Sequence, residues 1–384
     1  MSLCLPVHPI PKTILFLARS LDRGGAERQL VVLAKGLASR GHAVSVAVFF
    51  GGGVYETELD EAGVCVLNLG KTGRWDILPF LNRLVHLLRK KHPTVLHSYL
   101  GIPNILATVL KPLLPGTRIV WGVRASNVDL SRYDWLSRLA YALERRLARF
   151  ADLIIANSHA GATYAVTHGF PAQRVVVIPN GIDTERFRFN PQGRERLRAE
   201  WRVREDALLI GLVARIDPMK DHATFLQAAN LLAAQYPKLR FVCVGNGAPD
   251  YSEHLKQIAI ALGLGERMIW AGALDDMAAV YSALDIFCSS SAYGEGFSNT
   301  IGEAMACDVP CVVTDVGDSA LIVGATGRVV PPGDHSALAA AIGHLIDLSP
   351  EERRELGEAC RARIVSEFGI NRLVQRTEQA LGLA

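Results

Sequence analysis

The chain contains 384 residues, of which 49% are hydrophobic and 21% are charged, and its formal net charge at pH 7 is +3. This length favours two domains over one, and the composition is that of an ordinary soluble globular protein. Because the charge is nearly balanced, nucleic acid is not the expected partner.

The cysteines and the start of the chain indicate a cellular compartment. Most of the seven cysteines lie in apolar runs and no Cys-x-x-Cys pair occurs, which predicts buried thiols in a reducing compartment. Residues 1–11 contain neither a basic region nor an apolar segment typical of a signal peptide. No stretch approaches the run of about 18 apolar residues that crosses a bilayer. We therefore expect a cytoplasmic protein, at most peripheral at the inner face of the plasma membrane.

In the first half of the chain, apolar strands alternate with amphipathic helices, which are predicted over residues 26–40 and 78–91. The predicted strands are 13–18, 43–49, 64–67, 94–97, 118–122, 152–156 and 174–178. Such alternation predicts a parallel sheet with helices on both faces.

A turn at Pro179-Asn180-Gly181-Ile182-Asp183 separates this half from the next. The charged segment 188–206 is then predicted to be a solvated helix between two domains, and residues 350–383 are predicted to be helical. The strands predicted between them are 208–213, 239–244, 267–270, 284–288, 310–314 and 327–330. The sequence therefore predicts an α/β protein of two parallel-sheet domains that face a cleft.

Ligands of open parallel sheets bind beyond the carboxyl ends of the strands. In the second half, the unusual residues all follow predicted strands. These residues are Arg215 with Lys220, Gly245-Asn246-Gly247, Gly272, Glu295, and Asp315-Val316-Gly317-Asp318. Because five loops carry such residues at the carboxyl ends of predicted strands, the sequence predicts a binding site along this edge of the second sheet.

The stretch 284–306 indicates what this site binds. It reads as a buried strand, a Gly-rich loop and a helix with Ser298 or Asn299 at its N-cap. Loop amides and a helix start favour a phosphate group, whereas the carboxylates of Glu295 and Glu303 favour hydroxyl groups. Together they point to a sugar nucleotide.

Two cations in the preceding loop fit the same ligand. Arg215 and Lys220 suit a diphosphate that gains negative charge as it leaves; the alternative is a surface ion pair with Asp217 or Asp221. The apolar neighbours of Glu303 predict a buried carboxylate, whose partners would be ribose hydroxyls. Alternatively, Glu295 is simply a carboxylate in a turn and Glu303 lies on a partly exposed helix face, and neither binds a ligand.

The first half offers weaker candidates. Gly24-Gly25 opens a helix without the Gly-x-Gly-x-x-Gly spacing of NAD sites, so it is either a close approach to a ligand or a simple turn. His97 and Arg124 follow strands and are possible acceptor or cleft residues, although a lone histidine is more often structural. No Asp-x-Asp pair or His-rich set occurs, so no metal is expected.

Basic residues could also face anionic lipid or simply form solvated helix surfaces. They are Arg89, Lys90, Lys91, and the arginines 138, 145, 146 and 149 of a predicted helix over 135–150.

Taken in order, these motifs resemble glycosyltransferase family 4, whose members have the GT-B fold of two Rossmann-like domains. Glu295 and Glu303 match the Glu-x7-Glu signature of that family. Further matches are Gly24-Gly25-Ala26-Glu27, Asn157-Ser158, the turn at 179–183, Arg215 with Lys220, and Val244-Gly245-Asn246-Gly247. The resemblance implies an acceptor-binding domain over 1–185, a nucleotide-sugar-binding domain over 186–365, and a C-terminal helix over 366–384 that returns to the first domain.

The resemblance also implies an activity, namely retaining, metal-independent transfer of a hexosyl group from a nucleotide sugar. The donor is expected to be a UDP-sugar, with GDP or ADP as alternatives. The acceptor is expected to be a hydroxyl of a glycan or lipid-linked molecule in bacterial surface polysaccharide, lipopolysaccharide or glycolipid synthesis. The competing interpretations are a UDP-sugar 2-epimerase on the same fold and a non-catalytic nucleotide-sugar-binding protein.

Site residues follow from the resemblance residue by residue. Arg215 and Lys220 would hold the diphosphate, and Glu303 would bind the ribose. Glu295 would hold the donor sugar together with the amides of Gly296, Phe297, Ser298 and Asn299, while Gly25, Gly245 and Gly272 would also contact the donor. No cofactor is implied. Where many relatives carry a histidine, this chain has Val123-Arg124-Ala125-Ser126-Asn127, and Arg124 stays protonated and cannot act as a general base.

Overall fold

The computed structural model describes residues 12–73, 75–124 and 135–383, apart from the side chain of Ser137. Residues 1–11, for which no signal peptide was predicted, lie outside the described residues. So do Ala125, Ser126 and Asn127, which belong to the segment where many relatives carry a histidine. The chain divides into two compact units. The first unit is Met1–Gly181 with Ile370–Ala384, and the second unit is Ile182–Gly369.

The first unit is built on a seven-stranded parallel sheet in the order β3-β2-β1-β4-β5-β6-β7. Its strands are β1 (Thr13–Ala18), β2 (Ala43–Val48), β3 (Cys65–Asn68), β4 (Val95–Tyr99), β5 (Arg118–Val123), β6 (Leu153–Ala156) and β7 (Val175–Val177). Among its described residues, the α-helices before residue 181 are α1 (Gly25–Ser39), α2 (Glu56–Glu61), α3 (Leu78–Lys91), α4 (Gly101–Val109), α5 (Trp135–Leu147) and α6 (His159–Thr167). Apolar side chains fill both faces of this sheet, which explains why its strands read as continuous hydrophobic runs.

The second unit contains a six-stranded parallel sheet in the order β10-β9-β8-β11-β12-β13. Its strands are β8 (Leu209–Val213), β9 (Arg240–Val244), β10 (Met268–Gly272), β11 (Ile286–Ser289), β12 (Cys311–Thr314) and β13 (Arg328–Val330). Its helices are α7 (Pro191–Glu200), α8 (His222–Gln235), α9 (Pro249–Ala261), α10 (Met277–Ala283), α11 (Asn299–Ala306), α12 (Ser319–Val323), α13 (His335–Ile346) and α14 (Pro350–Phe368). The predicted fold class of two parallel-sheet α/β domains is confirmed.

The last helix, α15 (Ile370–Leu381), belongs to the first unit. It packs closely on α1, since a Cβ atom added at Gly36 would lie 2.3 Å from Cγ2 of Val374. Glu378 accepts hydrogen bonds from Arg40 at 2.5 Å and from the ring of buried His42 at 3.1 Å. These contacts attach the end of the chain to the first unit.

The segment 188–206 contains the predicted helix, but the prediction that this helix lies between the domains is wrong. Helix α7 lies within the second unit and packs on α10, so closely that a Cβ atom at Gly193 would be 2.6 Å from that of Ala279. Two of its arginines turn inward, and Arg194 and Arg198 donate to the carboxylate of Asp285 at 2.7 and 3.0 Å. Counting charges in the sequence does not reveal which of them find buried partners.

This inward ion pair gives a testable consequence. Replacing Arg198 by methionine should lower the free energy of unfolding by about 1–3 kcal/mol, because the buried guanidinium also donates to the carbonyl oxygens of Ala283, Arg204 and Ala207, which methionine leaves without this donor. Chemical denaturation measures the change. Arg196→Met is the matched control on the same helix: its pair with Asp276 is exposed, and exposed pairs contribute about 0–1 kcal/mol. Equal losses for the two variants would contradict this account.

No helix among residues 12–73, 75–124 and 135–383 is both long enough and apolar enough to cross a bilayer. Of the described cysteines, Cys65 on β3 is exposed, and the other five are buried thiols.

Candidate functional site

In the second unit, the loops after neighbouring strands are held together at the carboxyl edge of the sheet. The amide of Gly245 donates to the carbonyl of Gly272 at 2.8 Å, and the amide of Ile216 donates to the carbonyl of Asn246 at 2.9 Å. A Cβ atom at Gly245 would lie 1.9 Å from the carbonyl oxygen of Ala214, so only glycine allows this approach. The loop that carries Arg215 is therefore fixed against the loop after β9.

Lys220 forms an ion pair with Glu295, although the two residues are far apart in sequence. Lys220 ends a short helical turn that follows β8, and Glu295 lies in the loop after β11, the strand next to β8 in the sheet. Both side chains are largely shielded from solvent. Two residues that the sequence placed in one site are thus in contact.

Serines directly after β11 complete this connection. Ser291 donates to the same carboxylate oxygen of Glu295 at 2.7 Å. The hydroxyl of Ser290 lies 2.9 Å from the carbonyl oxygens of both Lys220 and Asp221, to which it donates, and the amide of Ala292 donates to the carbonyl of Met219 at 2.9 Å. No role for these serines was predicted from the sequence, although their position directly after a buried strand is typical of binding-site residues.

Two glycines with positive φ allow the Glu295 loop to pack between its neighbours. Gly294 has a φ of +78°, and a Cβ atom there would lie 2.6 Å from the sulfur of Met219. Gly317 has a φ of +62°, and its Cβ atom would lie 2.5 Å from the carbonyl oxygen of Glu295. The amide of Asp318 donates to the carbonyl of Gly296 at 3.0 Å, so the loop after β12 supports the loop after β11.

Helix α11 begins at Asn299, with Ser298 at the N-cap position, as the sequence predicted. The Ser298 side chain makes no capping hydrogen bond to the helix backbone and lies 3.2 Å from the hydroxyl of Thr300. Phe297 turns into the core, with its ring centroid 5.4 Å from that of Phe368. Of Phe297, therefore, only the backbone is available at the edge of the sheet.

Glu303 is half-buried on α11 and accepts a hydrogen bond from the hydroxyl of Tyr281 at 2.8 Å. Tyr281 is fully buried on α10, and this burial raises the pKa of its hydroxyl well above the ordinary value. The phenol therefore stays protonated and donates to Glu303. No spacing in the sequence indicated this partner.

Arg215 differs from Lys220. Its side chain is 67% exposed, and its guanidinium lies 3.5 Å from the carboxylate of Asp217. This is the surface ion pair that the sequence left open as an alternative.

In the first unit, Gly24 and Gly25 open α1 after β1. A Cβ atom at Gly24 would lie 2.0 Å from a carboxylate oxygen of Glu27, which shows that the Glu27 side chain folds back over the start of the helix. A pocket of about 360 Å³ lies at this edge of the sheet, beyond β1 and β4. Its lining includes Arg19, Glu27, Tyr99, Leu100 and Ile102.

His97 is fully buried inside β4. Its ring lies between Phe16 and Tyr99, at centroid distances of 5.2 and 4.9 Å, and burial lowers its pKa to about 3. Arg124 donates to the hydroxyl of Tyr99 at 2.6 Å and to the side-chain oxygen of Asn180 at 2.9 Å. Arg124 therefore orients Tyr99, a pocket residue that the sequence analysis missed.

Across the described parts of the chain, no group of three or more His, Cys, Asp and Glu side chains is arranged to hold a metal ion.

Comparisons with known proteins agree with this architecture. Residues 23–186 match the family described as Glycosyltransferase Family 4, and residues 207–347 match the one described as Glycosyl transferases group 1. EpsD of Bacillus subtilis, a protein named as a glycosyltransferase, is 30% identical over 275 residues, which are 70% of this chain and 71% of EpsD.

A second relative is the D-inositol 3-phosphate glycosyltransferase of Geodermatophilus obscurus, 32% identical over 243 residues. That match spans 60% of this chain and only 52% of the relative's length. Among solved structures, Anabaena Alr3699/HepE in complex with UDP-glucose has a TM-score of 0.83 at 24% identity, covering 97% of this chain and all of that one. This likeness confirms the predicted GT-B fold.

Proposed function

The chain belongs to glycosyltransferase family 4, and on this premise we propose that it moves a hexosyl group from a nucleotide sugar to an acceptor hydroxyl with retention of anomeric configuration. The observation that supports this most is the contact between Lys220 and Glu295 at the carboxyl edge of the second sheet. It joins a cation suited to a diphosphate with a carboxylate suited to sugar hydroxyls, beside the start of α11.

We assign the donor to this edge. Lys220 and the first turn of α11 would bind the diphosphate, with Arg215 able to swing from Asp217 to add a second cation. Glu295 and the amides of residues 296–299 would hold the sugar, and Glu303 would accept hydrogen bonds from the ribose. UDP is the proposed nucleotide, which the UDP-glucose complex of a protein with the same fold supports, and GDP and ADP are the alternatives.

The proposed reaction is a front-face substitution. The acceptor oxygen bonds to the anomeric carbon on the side from which the diphosphate leaves, and the acceptor proton passes to a leaving phosphate oxygen. Lys220 and the helix start would stabilise the charge that builds on the diphosphate. This scheme requires neither a protein nucleophile nor a metal.

We further propose that the acceptor is a glycan or lipid-linked molecule of bacterial surface polysaccharide or glycolipid synthesis, reached at the inner face of the plasma membrane. The pocket of the first unit supports an acceptor with an apolar part, since Leu100, Ile102 and the Tyr99 ring lie on its wall.

A panel of nucleotide sugars tests the proposal, with chelator present. A UDP-sugar should raise the melting temperature, because a ligand that binds only the native state stabilises it, and should be consumed only when an acceptor is added. Conversion of the donor without acceptor would instead identify an epimerase. Stabilisation without turnover on any acceptor would identify a binding protein.

The Tyr281 hydroxyl gives a second test. Tyr281→Phe should raise the KM for donor about fivefold with little change in kcat, since losing a hydrogen bond to the proposed ribose ligand costs about 1 kcal/mol of binding. Steady-state kinetics measure both constants. Tyr236→Phe is the matched control, because its hydroxyl donates to Asp347 at an exposed position. Unchanged KM in Tyr281→Phe would remove Glu303 from the proposed site.

A further inference from the structure

Helix α5 of the first unit exposes an apolar stripe. Trp135, Leu139 and Leu143 recur at every fourth residue and so lie along one side of the helix. Trp135 is 73% exposed and Leu139 is 56% exposed. A helix of a globular protein normally turns such a stripe to the core, whereas here the less exposed side is the opposite one, which carries half-buried Glu144.

Helix α4 exposes a second stripe beside the first. Ile102, Leu106 and Val109 follow helical spacing, and Val109 is 55% exposed. The two helices run side by side, because Asn104 donates to Glu144 at 2.9 Å near one end and Lys111 donates to the carbonyl of Phe150 at 3.0 Å beyond the other. We call the side chains of residues 102, 106, 109, 135, 139 and 143 the α4–α5 face; all of them are exposed except Leu106, which is half-buried against the core.

Over the described residues 135–150, the exposed charged side chains are all arginines. Arg138, Arg145, Arg146 and Arg149 are all exposed. The one acidic side chain between residues 135 and 150 is Glu144, which is turned inward onto Asn104. An apolar stripe bordered by arginines is the pattern of a helix that lies in the interface of an anionic bilayer.

We propose that the α4–α5 face docks the protein onto an anionic phospholipid surface, with Trp135, Leu139 and Leu143 entering the headgroup region and the arginines contacting lipid phosphates. A second copy of this chain is a poorer occupant, because a symmetric dimer would bring the same arginines of both copies together. An anionic bilayer instead attracts and neutralises them.

Docking in this way has a consequence for the acceptor. Ile102 belongs both to the face and to the wall of the 360 Å³ pocket, so an acceptor anchored in the bilayer reaches the pocket without leaving the membrane. This consequence rests on the proposed function, whereas the docking itself does not.

Vesicle co-sedimentation tests the docking. The full chain should sediment with vesicles of phosphatidylglycerol and phosphatidylcholine, and much less with phosphatidylcholine alone. The double variant Leu139→Glu/Leu143→Glu should bind the anionic vesicles at least about tenfold more weakly, since burial of one leucine side chain is worth about 1.5–3 kcal/mol. Ile260→Glu is the control. Ile260 is 63% exposed on α9 of the second unit, so this substitution should not change vesicle binding.

The arms of the experiment separate the possible failures. Absence of binding to anionic vesicles, or equal binding by the double variant, would overturn the proposal. The proposal would also be overturned if the wild-type protein bound no vesicles but formed a dimer in light scattering and the double variant stayed monomeric. That result would identify the α4–α5 face as a self-association surface. Because sedimentation needs no turnover, its result is independent of the proposed function; transfer to a water-soluble acceptor should be unchanged in the double variant.

Discussion

Replacing Lys220 by methionine should lower kcat/KM for sugar transfer by about 100- to 1,000-fold, the usual cost of removing one group that stabilises charge in a transition state. Methionine keeps the length and the apolar stem of the side chain but cannot neutralise a departing diphosphate. The effect should lie mainly in kcat, because the diphosphate charge is larger in the transition state than in the bound donor. Steady-state kinetics with the donor chosen by thermal shift measure it.

The structure requires one control for this variant. Lys220 pairs with Glu295, so Lys220→Met leaves a mostly buried carboxylate without its cation, at a cost of about 1–3 kcal/mol in stability. The double variant Lys220→Met/Glu295→Gln removes both charges and should recover stability but not turnover. Recovery of turnover in the double variant, or normal turnover in a folded Lys220→Met protein, would show that Lys220 is structural.

Arg215 provides the comparison within the same loop. Because its side chain is exposed and close to Asp217, Arg215→Gln should leave stability unchanged. Any loss of turnover in this variant would then show that Arg215 binds the donor during the reaction. From the sequence alone, Arg215 and Lys220 were equivalent candidates for binding the diphosphate. Only the structure distinguishes a cation already held against Glu295 from one held at the surface.

The sheets were predictable because strands of a doubly covered parallel sheet are short apolar runs between turn residues. The thirteen strands among the described residues coincide with predicted runs to within two residues at either end. The carboxyl-edge rule then predicted which loops carry the candidate site, because the chemistry-bearing residues of an open sheet collect where its strands end. Both predictions depend only on the spacing of residue types along the chain, which can be read directly from the sequence.

Contacts between side chains far apart in sequence were not predictable in this way. Tyr281 and Glu303 lie on different helices and meet only because α10 and α11 pack together. His97 was placed at a strand end, yet β4 continues to Tyr99, so that the histidine lies inside the core. A two-residue error in one strand end is enough to move a side chain from an exposed edge to a buried position.

Gly317→Ala should lower kcat by about 100-fold, although Gly317 itself has no side chain to contact a substrate. A Cβ atom at this position would lie 2.5 Å from the carbonyl oxygen of Glu295 and 2.6 Å from that of Gly296. Backbone cannot yield as a flexible side chain does, so the Glu295 loop must move by roughly 1 Å, and a displacement of that size at a reacting centre can cost about 100-fold. Turnover and melting temperature should be measured together.

Gly333 is the matched control for this variant. It lies in the same unit with a φ of +74°, close to the +62° of Gly317, but an added Cβ atom meets nothing within 4 Å. Both substitutions therefore carry the cost of a left-handed alanine, about 1–2 kcal/mol, and only Gly317→Ala also displaces the loop. If both variants lose stability to the same extent and only Gly317→Ala loses turnover, then the position of the Glu295 loop governs the reaction. Equal turnover in the two variants would mean that this loop is not where the donor sugar reacts.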